Sequence, residues 1–474
     1  MVLPNPQGRP AIQINGSKMP RLGWNDRTVI YVSGVSILLF LVLTVLPIHQ
    51  PIQKLSTEAK ELKRWEEGVL EIHHLRVGPS ESSFIIFPDG TTMMVDAGDI
   101  NLAVKLPELW KRGHEGLQIR PPFPSANKST SEWAVDYIHH FWPRPNEPMS
   151  HRKLDNFLLT HFHTDHMGDN PHPSMPWNDP IKQQYRLTGI SEVANLLPIR
   201  KIVDRGYPHY NYPPFLRNWT KMDSYRTFLE EQKSKGFSVE KFVVGSNTQF
   251  RLERDSSFAK EFQVLNIKGD LEVYFESNGT IATIPGEIFS NAAKTKWDEN
   301  EMSSVIRIDY GAFRYYEGGD VEAHTNAFGS IDTVTPTAVA AGKVDVATAN
   351  HHGRGTNQAF CTEIDPAVVI MQGLFSDQPL VETMEFLTQP RPAPIGNEEG
   401  AGPNEKRLLL VTDIFPERLR AIGPEYANAL DAINGHVVIR VSKPGPDQTY
   451  TVYMLNSKRE IKAQFGPFVP RRLT

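Results

Sequence analysis

Four side chains able to bind a metal ion fall within one short run, His161-Phe-His163-Thr-Asp165-His166. Neutral imidazoles with a carboxylate are the donor set of Zn²⁺ or a similar divalent ion. A helix would spread these side chains around its cylinder, so the spacing calls for a loop that converges them. Two later stretches have the same character: Glu317-Gly-Gly-Asp320 and Asn350-His351-His352-Gly353. The chain has a single cysteine, which excludes a cysteine-based zinc site and an internal disulfide framework. Cys361 itself reads as a small packing residue, because no activating base is identifiable beside it.

Strands must deliver these groups. Leu154-Asp-Asn-Phe-Leu-Leu-Thr160 reads as a buried strand running into His161. Ser304–Tyr310 and Ala312–Tyr316 read as a hairpin about Gly311 that delivers Asp320, and Val344–Ala349 reads as a strand that ends at Asn350. Upstream, Val69–Val77, Ser83–Phe87 and Thr91–Val95 read as strands, with Pro88-Asp-Gly90 turning between the last two. The third of these runs into Asp96-Ala-Gly-Asp99. Carboxylates in loops at strand ends are where α/β folds place their chemistry.

These residues carry a family resemblance. The sequence resembles the metallo-β-lactamase-fold superfamily and, within it, the metal-binding domain of ComEC-like DNA-internalisation competence proteins. The matching pieces are Phe84–Gly90, Val95-Asp-Ala-Gly98, His161–Asp169, Asn300-Glu-Met-Ser-Ser304, Gly319-Asp320, His351-His-Gly353, Pro366–Ile370 and Gly435–Arg440. They span roughly residues 69–375 and 433–455, whereas 101–150, 170–235 and 376–432 read as insertions or divergent loops. The resemblance implies an α/β fold, a four-layer αββα sandwich, with two divalent ions, Zn or else Mn, at one edge. It places His161 and His163 on the first ion. Asp165 and His166 go on the second with one of His351 and His352, and Asp320 bridges both. It also implies catalytic roles for Asp165, as a proton acceptor, and Asp320. The reaction class is hydrolysis of a phosphodiester, nucleic-acid-like, by a metal-activated hydroxide.

The chain departs from that pattern in three places. Many superfamily members supply another His to the first ion, where this chain has Asn300-Glu301-Met-Ser303-Ser304. The first site is therefore expected to be weaker, completed by water or Glu301, or empty. Gly78-Pro-Ser-Glu81 stands where ComEC-like proteins usually have Gly-Gln-Gly-Asp. Arg354, with Thr356 nearby, follows the His-His-Gly motif in place of Ser; Arg354 either contacts a phosphate or sits at the surface. Asn300, Ser304, Thr356 and His209 complete the substrate-side candidates. His73, His74, His139 and His140 read as packing residues, and Lys458, Arg459, Arg471 and Arg472 as surface charge.

Composition narrows the function further. A net charge of −5 and the lack of basic runs interleaved with aromatics argue against a nucleic-acid wrapper. A full ComEC-like protein also has a multi-helix channel, so DNA uptake by this chain alone is not expected. The competing readings are a hydrolase of a lactone, thioester or β-lactam on the same site, and a non-catalytic metal-binding surface protein. Mean hydropathy is −0.38, too polar for a polytopic membrane protein. Residues 28–48 nevertheless lack charge and are long enough to span roughly 31 Å as a helix. The expected organisation is a flexible tail (1–27), a transmembrane helix (28–48), a stalk (49–68) with a polar helix over 56–67, the hydrolase domain (69–457) and a C-terminal tail (458–474). A single-pass membrane protein follows, with a cytoplasmic N-terminus and the hydrolase domain outside.

Overall fold

The computed structural model describes residues 61–169, 175–212, 216, 219–284, 299–326, 329–391 and 406–471. The chain divides into two compact units, Met1–Pro51 and Ile52–Thr474, and every described residue belongs to the second.

Apolar residues on alternate faces of the strands build two nine-stranded sheets. In the first, the order is Ile461–Phe468, Tyr450–Leu455, His436–Val441, Leu70–His74, Ser83–Ile86, Thr92–Val95, Leu154–Leu159, Ile199–Asp204, Ser238–Lys241. In the second it is Ala432–Ile433, Leu408–Val411, Val368–Met371, Val346–Thr348, Phe313–Glu317, Val305–Tyr310, Phe262–Gly269, Glu272–Phe275, Thr280–Thr283. Both sheets are mixed. The parallel half of the first pairs Val95 with Leu158 and Leu158 with Val203. The parallel half of the second pairs Tyr316 with Ala347 and Thr348 with Ile370.

Three apolar layers define the stacking. Ile72, Ile85, Met93 and Leu158 from the first sheet meet Val264, Ile306, Ile308 and Ile370 from the second in a central core. Phe84, Met94, Phe157 and Ile202, on the other face of the first sheet, pack against Val135, Ile138, Val193 and Phe228 from helices Thr130–His140, Ile190–Leu196 and Thr220–Ser234. Ile267, Val305, Ala347 and Val369 do the same for the second sheet against Ala338, Ala341 and Met384. The result is a helix–sheet–sheet–helix α/β sandwich, as the resemblance implies. Both sheet faces are apolar, which is why the parallel strands read as continuous hydrophobic runs.

Several expectations change. Residues 170–235 and 376–432 are not merely loops: they carry Ile199–Asp204 and Leu408–Val411, each paired inside a sheet. Ile461–Phe468, expected as tail, is the edge strand of the first sheet. The polar stalk helix is absent from its described part, where Glu61 bridges Glu460 and Leu62 packs on Val438 and Leu455. The single-pass membrane placement is also overturned: no helix among the described residues is long and apolar enough to cross a membrane. The longest, Thr220–Ser234, has 15 residues and is rich in charge, whereas a span needs about 20 apolar ones. Residues 28–48 themselves lie outside the described residues.

Candidate metal centre

The candidate ligands converge from the C-terminal ends of parallel strands in both sheets. Leu154–Leu159 leads into His161 and His163, and a single helical turn, Thr164–Met167, brings in Asp165 and His166. Phe313–Glu317 leads to Asp320, and Val346–Thr348 leads to His351 and His352. Both of the latter histidines are left-handed, with φ of 52° and 56°. Such conformations are strained for non-glycine residues and concentrate at functional sites. Gly98 lets the Asp96 loop lie against this turn, since a Cβ there would sit 1.8 Å from the Asp165 carbonyl oxygen.

Two groups of donors result, and they share Asp320. One is His161, His163 and Asp320; the other is Glu81, His166, Asp320 and His352. His161 Nε2 lies 3.1 Å from His163 Nδ1. Asp320 Oδ2 lies 3.2 Å from His166 Nε2, 3.4 Å from His352 Nε2 and 3.8 Å from His161 Nε2. Asp165 Oδ2 is 3.2 Å from His352 Nε2. Donors on a tetrahedral ion with bonds near 2.0–2.1 Å stand about 3.3 Å apart. Moreover, His166 Nε2, His352 Nε2 and Asp320 Oδ1 are buried and make no hydrogen bond. Buried polar atoms are ordinarily satisfied by well-formed hydrogen bonds, and these face one another only as imidazole–carboxylate contacts at 3.2–3.4 Å, a convergence that fits a divalent ion between them. Of the expected ligands, His161, His163, His166, Asp320 and His352 fall into these groups, whereas Asp165 and His351 belong to neither, and Glu81 is the carboxylate that joins His166 and His352.

The electrostatics follow from the same packing. Burial would raise the Asp320 pKa, but the imidazoles of His166, His352 and His351 outweigh it and hold the carboxyl well below its usual range. Burial disfavours charge on His166 and His352, yet Asp320 dominates both, helped by Asp96 at His166 and Glu81 at His352, and their pKa values lie well above the ordinary imidazole value. His161 goes the other way: burial and the His166 charge push it well below.

His351 stands apart from both groups. Its Nε2 is 3.8 Å from Asp320 Oδ2 and 3.3 Å from Asn300 Nδ2, and its Nδ1 is 2.9 Å from Glu322 Oε2. Glu301 is buried and belongs to neither group.

The centre opens into a cleft of about 610 Å³. Asp165, Asp320, His163 and His351 line it on the metal side, with Asn300 beside them. Lys105, Arg112, Lys221 and Arg354 bring positive charge to the same cleft, and Glu108 joins Asp165 and Asp320 as a third carboxylate in its lining. Lys221 is buried; its Nζ donates to the Phe162 carbonyl and stands 4.4 Å from the Trp219 ring centre, and burial lowers its pKa to about 8. Arg354 pairs with Asp377 at the cleft. Ser304 and Thr356 are buried outside the lining, and His209 is exposed and also outside it.

Sequence reasoning missed Glu81 as a member of the centre. The signal was present, because Glu81 occupies the place of the usual Asp in Gly-Gln-Gly-Asp. It also missed Lys105, Arg112 and Lys221, which no local motif marks. His73 and His74 pack as expected: His73 contacts Glu71 and Tyr137, and His74 contacts Ser83.

No protein-family model matches the chain, and no curated protein matches it. Among solved structures it is similar to the CmlA beta-hydroxylase E377D mutant, with a TM-score of 0.27 and 13% identity over 65% of this chain. The match spans 46% of the hydroxylase chain, less than half its length. It is also similar to Zn(2+)-bound PqqB from Methylobacterium extorquens, with a TM-score of 0.27 and 10% identity over 74% of this chain and 81% of that one. Likeness at this level assigns neither activity nor substrate.

Proposed function

We propose that the chain is a metallo-β-lactamase-fold, metal-dependent hydrolase of phosphodiesters, with nucleic-acid-like molecules as the substrate class. The observation that carries this reading is the pair of buried donor groups sharing Asp320 beside a cleft lined by Lys105, Arg112, Lys221 and Arg354. His161, His163 and Asp320 would hold one ion; His166, His352, Asp320 and a carboxylate from Asp165 or Glu81 would hold the other. Divalent ions so held supply Lewis acidity and bring the pKa of water toward neutrality.

The chain's own residues supply the rest. The four cations attract and orient a phosphate group, which a neutral lactone or β-lactam would not require. Asp165 faces the cleft and is placed to accept the proton of an attacking water. Asn300 steadies this wall of the cleft, its Nδ2 lying 3.2 Å from Glu322 Oε1 and 3.3 Å from His351 Nε2. Burial of the centre at the head of the cleft limits water and strengthens each of these interactions.

The test is hydrolysis of bis(p-nitrophenyl) phosphate by the Zn²⁺- or Mn²⁺-loaded protein, run beside nitrocefin and a lactone. Phosphodiester turnover lost in Asp165→Ala and His163→Ala, with KM raised in Arg112→Ala, supports the reading. Turnover of nitrocefin or lactone alone overturns the substrate class, and turnover of nothing by a loaded protein overturns the enzyme.

A further inference from the structure

One wall of the cleft is a helix that contributes nothing to the core. No residue of Leu102–Lys111 is buried. The chain is instead fastened on either side of it. Before the helix, Asn101 N donates to Asp169 Oδ2 at 2.7 Å, in the loop just past His166. After the helix, Gln118 N donates to Ser376 Oγ at 2.9 Å, Ser376 N donates to the Gln118 carbonyl oxygen at 2.9 Å, and Ile119 bridges Phe375. The helix therefore runs between the loop that carries the first metal-binding histidines and the loop that follows Val368–Met371. Helices in proteins draw most of their stability from packing one face, and this one buries none, so its place in the fold is explained by what it presents to the cleft.

The side chains it presents form a line. Lys105, Glu108, Leu109 and Arg112 all line the cleft. Their i, i+3, i+4, i+7 spacing sets them on one face. At 1.5 Å of rise per residue, Lys105 stands about 6 Å along the axis from Asn101, and Arg112 about 10 Å further. Lys105 is at the metal end: its charge and that of Asp165 both act on Lys221, which is bonded to the Phe162 carbonyl between His161 and His163. Arg112 is at the exposed, outer end. Among the described residues, the side chains of Lys105 and Arg112 make no hydrogen bond or ion pair, and Glu108 between them pairs with neither. Lys221 and Arg354, by contrast, are engaged with the Phe162 carbonyl and with Asp377. Two uncommitted cations in a line leading away from the donor groups are more than one phosphate needs. Leu109, Trp219 and Phe375 share the lining with them, and a positive groove interleaved with aromatic side chains suits a strand of linked phosphates.

We propose that Arg112 holds a second phosphate of the substrate, outward of the reacting one, with Lys105 between the two. This rests on the phosphodiesterase reading above and narrows it: the preferred substrate is a diester with a neighbouring phosphate on the same molecule, and an isolated diester is a poor one. Arg112 is then a specificity-determining residue that touches none of the reacting atoms.

The experiment compares three esters with one leaving group on the Zn²⁺- or Mn²⁺-loaded 474-residue chain. They are thymidine 5′-(p-nitrophenyl phosphate), the same ester with a 3′-phosphate, and the same ester with a 3′-methyl phosphate. Phosphorylation at the 3′ position should raise kcat/KM about 10- to 100-fold, the scale of one charge-assisted hydrogen bond. A gain with the 3′-phosphate alone identifies a strand end as the feature read, and a gain with both identifies an internal link; either result supports the proposal. In Arg112→Gln the ratio of kcat/KM between phosphorylated and plain ester should fall to near one, through a rise in KM for the phosphorylated ester. The plain ester should lose a smaller factor, from the weakened field of the cleft alone. Arg112 is exposed and unpaired, so circular dichroism should not change. A ratio near one in the parent chain, or a ratio undiminished in Arg112→Gln, overturns the proposal and leaves the phosphodiesterase reading standing. Turnover of none of the three esters overturns both.

Discussion

Replacing Glu299 tests how the loop carrying His161 and His163 is held. Glu299 is fully buried, and its Oε1 accepts from Arg205 Nε at 2.8 Å, from Arg205 Nη2 and from the Phe162 amide at 3.2 Å. Lys221 Nζ donates to the carbonyl of the same residue, so the peptide between the two histidines is clamped on both sides. In Glu299→Ala, Arg205 stays buried with Asp270 at 2.7 Å and the Tyr212 carbonyl oxygen at 2.9 Å as remaining partners. Breaking a buried pair from one side costs about 3–5 kcal/mol, and Asp270 offsets part of that. The orphaned Phe162 amide adds about 1–3 kcal/mol. A loss of about 4 kcal/mol is therefore expected, large against a typical stability of about 5–15 kcal/mol but not fatal. Glu299→Gln keeps an acceptor for Phe162 and should lose only about half as much. Urea unfolding with a fixed m-value measures both. Equal losses in the two variants, or a loss under about 1 kcal/mol in the alanine variant, would refute the clamp.

Gly98→Ala forces a Cβ to within 1.8 Å of the Asp165 carbonyl oxygen, so the turn carrying Asp165 and His166 must move. Metal binding should fall sharply in that variant, as read by equilibrium dialysis. Lys268 Nζ donates to the carbonyls of Asp270, Glu301 and Ser303 at 2.7, 2.6 and 3.1 Å; Lys268→Met orphans all three and should lower stability by about 3 kcal/mol or more in urea melts. Burial, then the Asp99 charge, pushes the Glu192 pKa up to about 7. The folded chain then holds that proton more tightly than the unfolded chain between roughly pH 4.5 and 7, so stability falls as pH rises through that window. Glu192→Gln removes that contribution, and the drop in Tm from pH 5 to pH 8 should shrink.

Where the sequence was legible, local physics was sufficient. Leu154–Leu159, Val305–Tyr310 and Val346–Thr348 are short, wholly or almost wholly buried strands, and their clustered or alternating apolar and β-branched residues mark them without reference to any neighbour. The turns at Gly90 and Gly311 are marked by residues that sit at φ of 80° and 59°. Residues 170–235 and 376–432 were harder. Their sheet strands are separated by polar helices and proline-rich stretches, and parallel pairing leaves no tight-turn signal between partners. The edge strand Ile461–Phe468 was hidden because half-exposed residues keep its pattern polar.

The sequence by itself determined the chemistry of the centre. With one cysteine in the chain, the clustered His and Asp residues were the metal donors it offered, and their order along the chain marked them as strand-end groups. Only the tertiary structure decided how they are shared. It set His352 rather than His351 in the second group, because two successive left-handed residues separate the two rings and turn one of them inward. It brought Glu81 into that group beside His352, set Asp96 behind His166, and lined the cleft with Lys105, Arg112 and Lys221. These residues lie far apart in sequence from the groups they serve. Parallel pairing of neighbouring strands joins Asp96 to His166, and the meeting of the two sheets joins Glu81 to His352; local sequence pattern encodes neither.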